Sequence, residues 1–437
     1  MKSIKLVFIT TVVFLFAFSS LYSQETNSAE IAEDKSAPTG INKEIETAAS
    51  EHETENQSSQ ETSGSQRADK KSKKVDFSYG TKGWQMEYDN KFRMSLEWRL
   101  QFRGVLDSDP DENTFSVQRA RMKVDGYAFR PWMEYFLEFD FPTLSLLNFE
   151  FTMKRLEWLQ FKLGQWKVEY NTERFISSGK QEFVDRTIAN KYFTYDRQIG
   201  IMLKGNLFEG TSGCFTYAFG MFNGDGRMQQ NLNSKFMYLG RLQWNFSGKV
   251  MKMSFADLER VRKPEGFIAF SGVTNRSAFT RFSTSGGGQL PGYENPLNNS
   301  GPVDYNRFLI NQLGFEVMLK YRGLTFMSEN HIKSIEDDNP SASHKHSLLY
   351  GGYVSAGFFP GEFIRFMPDP FEMVLRYSLV SNDELYNYNI NEYGVAFNWY
   401  FSGHRNKITL DVSYLQNDDF KAAYNHIRSR LQWDVSF

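Results

Sequence analysis

Many segments of the chain alternate between apolar and polar residues with a period of two, which is typical of a strand with two unlike faces. The clearest segment is FRMSLEWRLQF, in which Phe92, Leu96 and Trp98 alternate with Arg93 and Arg99. Its length fits a tilted strand that crosses a membrane, which needs about 9–11 residues. Shorter alternating runs recur at 133–141, 215–221, 315–321, 371–377, 393–399, 408–414 and 431–437.

The segments between these runs differ greatly in length. Arg322-Gly323 reads as a tight turn, whereas Thr284–Asn306 is long and rich in Gly, Asn and Pro. Short turns on one rim and long loops on the other are typical of outer-membrane barrels. We therefore expect an all-β fold, a transmembrane antiparallel β-barrel of about 16 strands with long extracellular loops and short periplasmic turns. A soluble sandwich of this length would normally be divided by linkers, and none is visible after residue 76.

The composition supports a structure with one apolar face and one face that contacts water. Aromatic residues make up 16% of the chain, yet the mean hydropathy is −0.51. The start, with Lys2, Lys5 and the apolar run LVFITTVVFLFAF, predicts a signal peptide over 1–23. Residues 24–75 are polar and predict a disordered leader, and 76–437 form the barrel. These features place the protein in the outer membrane of a Gram-negative bacterium, in contact with its lipid.

The last residues of the chain continue the alternation to the terminus. Leu431, Trp433, Val435 and Phe437 are expected to face lipid. Such a strand predicts closure of the barrel against its first strand, which removes the open edge. A terminal Phe resembles the signal that outer-membrane proteins present to their assembly machinery, which is therefore an expected partner.

The polar face of the first strands carries many cations. A charge on the lipid face costs about 2–4 kcal/mol at the bilayer midplane, so these side chains should face the lumen. The set is Arg93, Arg99, Arg103, Arg119, Arg121 and Lys123. They predict either an anion-binding ladder or a wall of ion pairs with Glu134, Glu138 and Asp140, and the sequence leaves both interpretations open.

Residues 115–201 resemble the phosphate-selective porin O and P family. The resemblance lies in FSVQRARMKVDGY and in KLGQWKVEYNTERFISSGKQEFVDRTIANKYFTYDRQIGIML. Matching positions are Gly164, Gln165, Lys167, Glu173, Arg174, Ser177, Ser178, Arg186, Arg197 and Gly200. The chain departs from the family at Val168-Glu169-Tyr170, where members often have Pro-Phe.

The resemblance implies a trimeric, water-filled porin whose Asn171–Gln198 segment folds into the barrel as a constriction loop. It also implies that Lys167, Arg174, Arg186 and Arg197 line the pore and bind anions such as phosphate. Acidic and basic residues are equally numerous in 76–437, so only local placement could make the pore select anions.

The expected function is passive uptake of small solutes, more readily anions than cations. The alternatives are a general or oligosaccharide channel, or a barrel anchor whose loops bind a partner. The sequence indicates no enzyme, cofactor, metal site or nucleic-acid partner. The pair His344 and His346 has too few neighbouring ligands for a metal, Gly286–Gly288 does not open a helix, and Cys214 is expected to be a buried or lipid-facing residue.

Overall fold

The computed structural model describes residues 75–80, 82–108, 113–293, 303–340, 342, 345–382, 388–417 and 424–437. The predicted signal peptide and leader, apart from Val75, lie outside the described residues, as does part of Thr284–Asn306. The strands are β1 Val75–Gly80, β2 Gly83–Tyr88, β3 Phe92–Asp107, β4 Thr114–Ala128, β5 Met133–Asp140, β6 Ser145–Leu156, β7 Leu159–Lys167, β8 Arg197–Leu207, β9 Phe215–Phe222, β10 Met237–Trp244, β11 Glu265–Ser277, β12 Arg281–Ser283, β13 Gly286–Gly288, β14 Phe308–Tyr321, β15 Leu324–Asp337, β16 His346–Phe358, β17 Phe371–Asn382, β18 Tyr388–Ser402, β19 Asn406–Asn417 and β20 Tyr424–Ser436. Two short α-helices, α1 Thr172–Phe175 and α2 Ile188–Phe193, and the 3₁₀ turns Ser178–Lys180 and Pro360–Glu362 complete the described elements.

Sixteen antiparallel strands, β3 to β11 and β14 to β20, close into a barrel, which confirms the expected fold. Closure occurs where β20 pairs with β3, from Arg428 opposite Asp107 to Ser436 opposite Arg99. Phe437 then exchanges two backbone hydrogen bonds with Trp98, at 2.8 and 2.9 Å. The predicted role of the terminal strand is therefore confirmed, and its backbone groups are paired inside the wall.

Side chains alternate across the wall as the sequence pattern predicts. On β20, Leu431 and Trp433 are exposed on the outer surface, whereas Arg430, Gln432 and Asp434 are buried in the interior. This arrangement places the apolar set against lipid and keeps the charged groups out of hydrocarbon, where each would be costly.

An additional hairpin precedes the barrel. Strand β1 pairs with β2, and β2 pairs with the first part of β3, from Phe92 to Leu96, beyond the end of β20. The outward row of this hairpin is apolar and exposed, with Phe77 and Trp84 at 71% and 62%. Periodicity does not predict these two strands, because each is too short to show sustained alternation.

The connections differ between the two rims. At the rim that holds Phe437, the C-terminal rim, several are tight, such as Arg322-Gly323, where both residues have positive φ (49° and 79°). The connection 245–264 lies at the same rim and is longer, with Phe255 and Ala256 buried. The opposite rim carries the segment 168–196 and the described residues 278–293 and 303–307. No helix in the described part of the chain is long and apolar enough to span a membrane.

Candidate functional site

Residues 168–196, here called the lumenal loop, cross the interior of the barrel. On one side the loop is held by β14, where Gln312 Nε2 donates to Phe193 O at 2.6 Å. On the other side it reaches β19, where Asp411 Oδ2 accepts from Val184 N at 2.9 Å. These contacts to two separate strands of the wall confirm the prediction that Asn171–Gln198 folds into the barrel, except that Arg197 and Gln198 begin β8.

Inward lysines fasten the lumenal loop through its carbonyl groups. Lys333 Nζ donates to Tyr192 O at 3.1 Å, and Lys407 Nζ donates to Gln181 O. Both lysines lie at inward positions of strands in which apolar and polar residues alternate, so periodicity could have placed them in the lumen. What the sequence could not show is that they donate to backbone rather than face the open pore.

Arg99 and Arg103, on β3, are neutralised where the barrel closes. Arg99 forms a two-pronged pair with Asp434, with Nε–Oδ1 at 2.9 Å and Nη2–Oδ2 at 2.7 Å, and its Nη1 donates to Ser178 Oγ at 3.0 Å. Arg103 donates from Nη1 and Nη2 to the carboxylate of Asp185 in the lumenal loop, both at 2.9 Å. The two arginines therefore join the wall to the loop.

Asp185 is shared between two strands. It accepts from Arg103 of β3 and from Arg430 of β20, whose Nη1 lies 2.9 Å from Oδ2. Burial disfavours its ionised form, but the charges of Arg430, Arg103 and Arg119 outweigh that cost and hold the pKa of Asp185 well below its usual range. The loop is therefore anchored here by a charge that is present at neutral pH.

A second group of predicted cations surrounds Glu138 on β5. Its carboxylate accepts from Arg121 Nη1 at 3.1 Å and from Arg197 Nη2 at 2.9 Å. Arg121 also contacts Asp140, with Nε–Oδ1 at 2.9 Å. These pairs match the expectation of an ion-paired wall for Glu138 and Asp140.

Two more of the predicted cations have carboxylate partners. Lys123 Nζ lies 2.6 Å from Glu97 Oε1, and Arg174 pairs with Asp196. Glu134, expected as a wall partner of the arginines, instead pairs with Lys154 at 2.6 Å.

The remaining four predicted cations show no carboxylate ion pair within the part of the chain that the structure describes. Arg93 stacks on Tyr127, 5.1 Å from the ring centroid, and Arg119 Nη1 donates to Gln101 Oε1 at 2.6 Å. Arg186 donates to the carbonyl oxygens of Glu173 and Ile176, both at 2.7 Å. The fourth is Lys167, at the end of β7.

Lys167 faces a lumenal cavity of about 600 Å³ between strands β3 to β7 and the lumenal loop. Its lining mixes both signs of charge: Lys82, Arg99, Lys123, Lys162, Lys167, Lys180 and Arg405, with Glu97, Asp125, Glu138, Glu150 and Glu169. Lys162 and Lys180 were not among the cations predicted from the sequence to line the pore. Lys162 Nζ is paired with Glu150 Oε2 at 2.6 Å, whereas Lys180 is exposed on the loop.

Positive charge is concentrated around Arg186. Burial lowers the pKa of Arg186, and the charges of Arg174 and Arg197 lower it further against the opposing effect of Glu173 and Asp196. This part of the lumen therefore holds more cations than carboxylates can pair, although most of the predicted ladder is an ion-paired wall.

Other candidate groups do not form a site. His346 Nε2 lies 3.1 Å from Ser334 Oγ, and His344 is outside the described residues. Cys214 is buried, as expected. Among the residues described, no group of three or more His, Cys, Asp or Glu could hold a metal ion.

Comparisons with known proteins agree with this architecture. The family model described as "Phosphate-selective porin O and P" matches residues 91–434. No curated protein matches the chain.

Solved structures give the same fold at very low identity. In-vitro folded OmpT, an outer membrane protein of Vibrio cholerae, aligns with a TM-score of 0.52 and 8% identity over 78% of this chain and 97% of that chain. The trimer form of OmpT aligns with a TM-score of 0.51 and 9% identity over 79% and 99%. A loop L8 deletion mutant aligns with a TM-score of 0.51 and 10% identity over 78% and 99%.

Proposed function

The chain belongs to the phosphate-selective porin O and P family, and on that premise we propose that it is a passive channel that admits small anions more readily than cations. The protein is a bacterial outer-membrane β-barrel porin, and its family consists of channels and not of enzymes. Anion preference, the solute and the oligomeric state are the parts that we propose.

The observation that carries the proposal is the excess of positive charge beside the lumenal cavity. Lys167 lines that cavity, and no carboxylate pairs with it in the described residues. Arg119 and Arg186 add two further charges whose recorded partners are neutral oxygens. Because a narrow, low-dielectric passage strengthens uncompensated charges, a few such groups are enough to bias permeation towards anions.

The paired cations have a different role in this proposal. Arg99, Arg103, Arg121, Lys123, Arg174 and Arg197 are held by carboxylates, so they shape the passage and fix the loop. Preference for anions should therefore depend on Lys167, Arg119 and Arg186 more than on the whole set predicted from the sequence.

The oligosaccharide alternative would require aromatic faces along an open path. Tyr170 and Tyr195, in the lumenal loop, and Tyr353, on β16, are each at most 1% exposed. The aromatic residues that line the lumenal cavity are Phe136, Trp166 and Phe175, and they lie among seven basic and five acidic side chains. A lining in which charged groups predominate favours the anion channel over an oligosaccharide channel.

We further propose that the C-terminal rim faces the periplasm and that the barrel forms homotrimers, as the trimer form of OmpT does. The first 23 residues are proposed to be a signal peptide. Chemical cross-linking of the protein in outer membranes would test the trimer independently of conduction.

Reversal potential across a KCl gradient in planar bilayers tests the function. We expect an anion-selective channel in the full chain and a clear shift towards cation permeation in Lys167→Gln and Arg119→Gln. Lys252→Gln is the matched control, because Lys252 is an exposed rim lysine paired with Glu259. Absence of conductance would contradict the channel itself, and unchanged selectivity in both lumenal variants would remove these residues from the mechanism.

A further inference from the structure

We infer that Glu329 is a positioning residue for the lumenal loop, and that the loop is fully held against β15 only while one proton is retained between the carboxyl groups of Glu173 and Glu329. Permeation would then change with pH. This inference rests on the proposed channel function, and it concerns how the passage is kept narrow rather than which solute enters it.

The contact begins with the carboxyl group of Glu329 on β15, a side chain with no measurable exposure. Its Oε1 accepts from the backbone N of Glu173 at 2.5 Å, and its Oε2 accepts from Asn171 Nδ2 at 3.1 Å. Both donors are neutral and both belong to the start of α1. A buried carboxylate with only neutral donors is costly to keep charged.

The neighbouring carboxylate on β14 already forms an ion pair with the nearby arginine. Glu316 pairs with Arg241 of β10, with Oε1–Nη1 at 2.6 Å and Oε2–Nη2 at 2.9 Å. It also accepts from Thr172 N at 3.3 Å. One arginine therefore neutralises one acid, and Glu329 has no cation of its own in this contact.

Glu173 brings a further buried carboxyl group to the same place. Its Oε1 accepts from Thr187 N at 2.7 Å and its Oε2 from Thr187 Oγ1 at 2.8 Å, which ties two parts of the lumenal loop together. Burial and the charge of Glu329 raise the pKa of Glu173 to about 7. Glu173 therefore gains or loses its proton in the neutral range, beside the buried carboxyl group of Glu329.

Charged and titratable groups from the lumenal loop and from six strands surround the pair. The groups that face it are Arg186 and Tyr170 from the loop, Arg241 from β10, Glu316 from β14, His331 from β15, Tyr353 from β16, Arg376 from β17 and Glu392 from β18. Arg376 Nη2 is paired with Glu392 at 2.9 Å, and Arg186 donates to the carbonyl oxygens of Glu173 and Ile176 and not to either carboxyl group. His331 Nε2 lies 3.5 Å from Glu329 Oε2.

Asn171 gives an independent indication of where the proton resides. Its side chain is 1% exposed, and its Oδ1 has no hydrogen-bond partner, although its Nδ2 contacts Glu329. Exchanging the two ends of the amide would let Oδ1 accept a hydrogen bond from protonated Glu329, leaving no orphaned acceptor there. The site is thus built to accept a carboxylic acid as readily as a carboxylate.

The sign of the pH dependence follows from these contacts. Below neutral pH one carboxyl group is protonated, and α1 stays attached to β15. As pH rises through about 7, the second charge develops in a buried site where no Arg or Lys of the described residues forms an ion pair with either carboxyl group, so the attachment weakens. A loosened loop would show larger current fluctuations and a higher mean conductance.

Single-channel recording of the full chain from about pH 6 to about pH 9 tests the inference, since this window spans the pKa of Glu173, about 7. Glu329→Gln preserves an acceptor for Glu173 N and offers an amide donor to Asn171 Oδ1. We expect the wild type to show a conductance step centred near pH 7 and E329Q to lose it. Glu336→Gln, an exposed position on the same strand, is the matched control and should keep the step.

Glu173→Gln is a second variant that should also lose the step, and it keeps the experiment decisive if E329Q fails to assemble. A wild-type channel whose conductance is independent of pH would overturn the inference while leaving the porin function intact. Persistence of the same step in E329Q or E173Q would overturn it as well. Absence of any channel would instead refute the proposed function.

Discussion

Arg99 and Asp434 join the first and last strands of the barrel through a buried two-pronged ion pair, with N–O distances of 2.9 and 2.7 Å. The two residues are 2% and 1% exposed and lie at the seam where β20 meets β3. Closure therefore depends on side-chain charge as well as on the backbone ladder.

Replacing Asp434 with Ala should strongly destabilise the folded barrel, because it leaves Arg99 buried without its counter-ion. Breaking a buried pair in this way costs about 3–5 kcal/mol. Urea unfolding of the refolded protein in detergent or lipid measures the change. Glu259→Ala is the control, since it breaks an exposed pair with Lys252 that is worth about 0–1 kcal/mol; equal losses in the two variants would contradict the assignment.

The Asp185 anchor predicts a loss of stability in acid. Because the folded pKa of Asp185 is depressed, its contribution is fully present above its ordinary value of about 3.9 and is lost as pH falls below it. Urea midpoints measured at decreasing pH should therefore fall less steeply in Asp185→Asn than in the wild type. A wild-type midpoint that stays constant on acidification would count against this anchor.

Gly164, one of the positions that matches the family, should tolerate no side chain. Its φ is +120°, and a Cβ would lie 2.0 Å from the carbonyl oxygen of Phe149 on β6. We expect Gly164→Ala to reduce the yield of folded barrel on refolding, assayed by heat-modifiable migration in gels. Gly240→Ala is the matched control, because its Cβ would meet nothing closer than Phe219 at 3.5 Å, and it should fold normally.

Deleting Phe437 should lower the yield of assembled protein in the outer membrane. The residue contributes two backbone hydrogen bonds to Trp98, and its ring is 46% exposed on the outer surface. Phe437→Leu keeps the backbone pair and changes only the ring, so membrane fractionation of both variants separates the two contributions. Normal yield of the truncated chain would argue against the predicted assembly signal.

The period-two pattern alone identified many of the wall strands and their faces. Phe92 to Phe102, Phe371 to Tyr377 and Leu431 to Phe437 all lie in strands, with charged positions turned inward as predicted. The prediction succeeded because residues that face hydrocarbon outside the barrel must be apolar, whereas the alternate residues that face water inside can be charged. Strands β1, β2 and β10 were missed because short segments do not show a sustained period. Strands β6, β11 and β16 were missed because adjacent apolar residues, such as Phe267 and Ile268, interrupt the alternation.

Periodicity along the chain was enough to predict the fold class, the terminal closure and which cations would face the lumen. The three-dimensional arrangement was needed to show which of these cations stay unpaired: Arg99 meets Asp434, more than three hundred positions away in the chain, whereas Lys167 meets no carboxylate in the described residues. It also decided that Glu173 and Glu329 share one buried site. The physical reason is that inward orientation follows from local periodicity, while pairing depends on the barrel register and on where the lumenal loop lies.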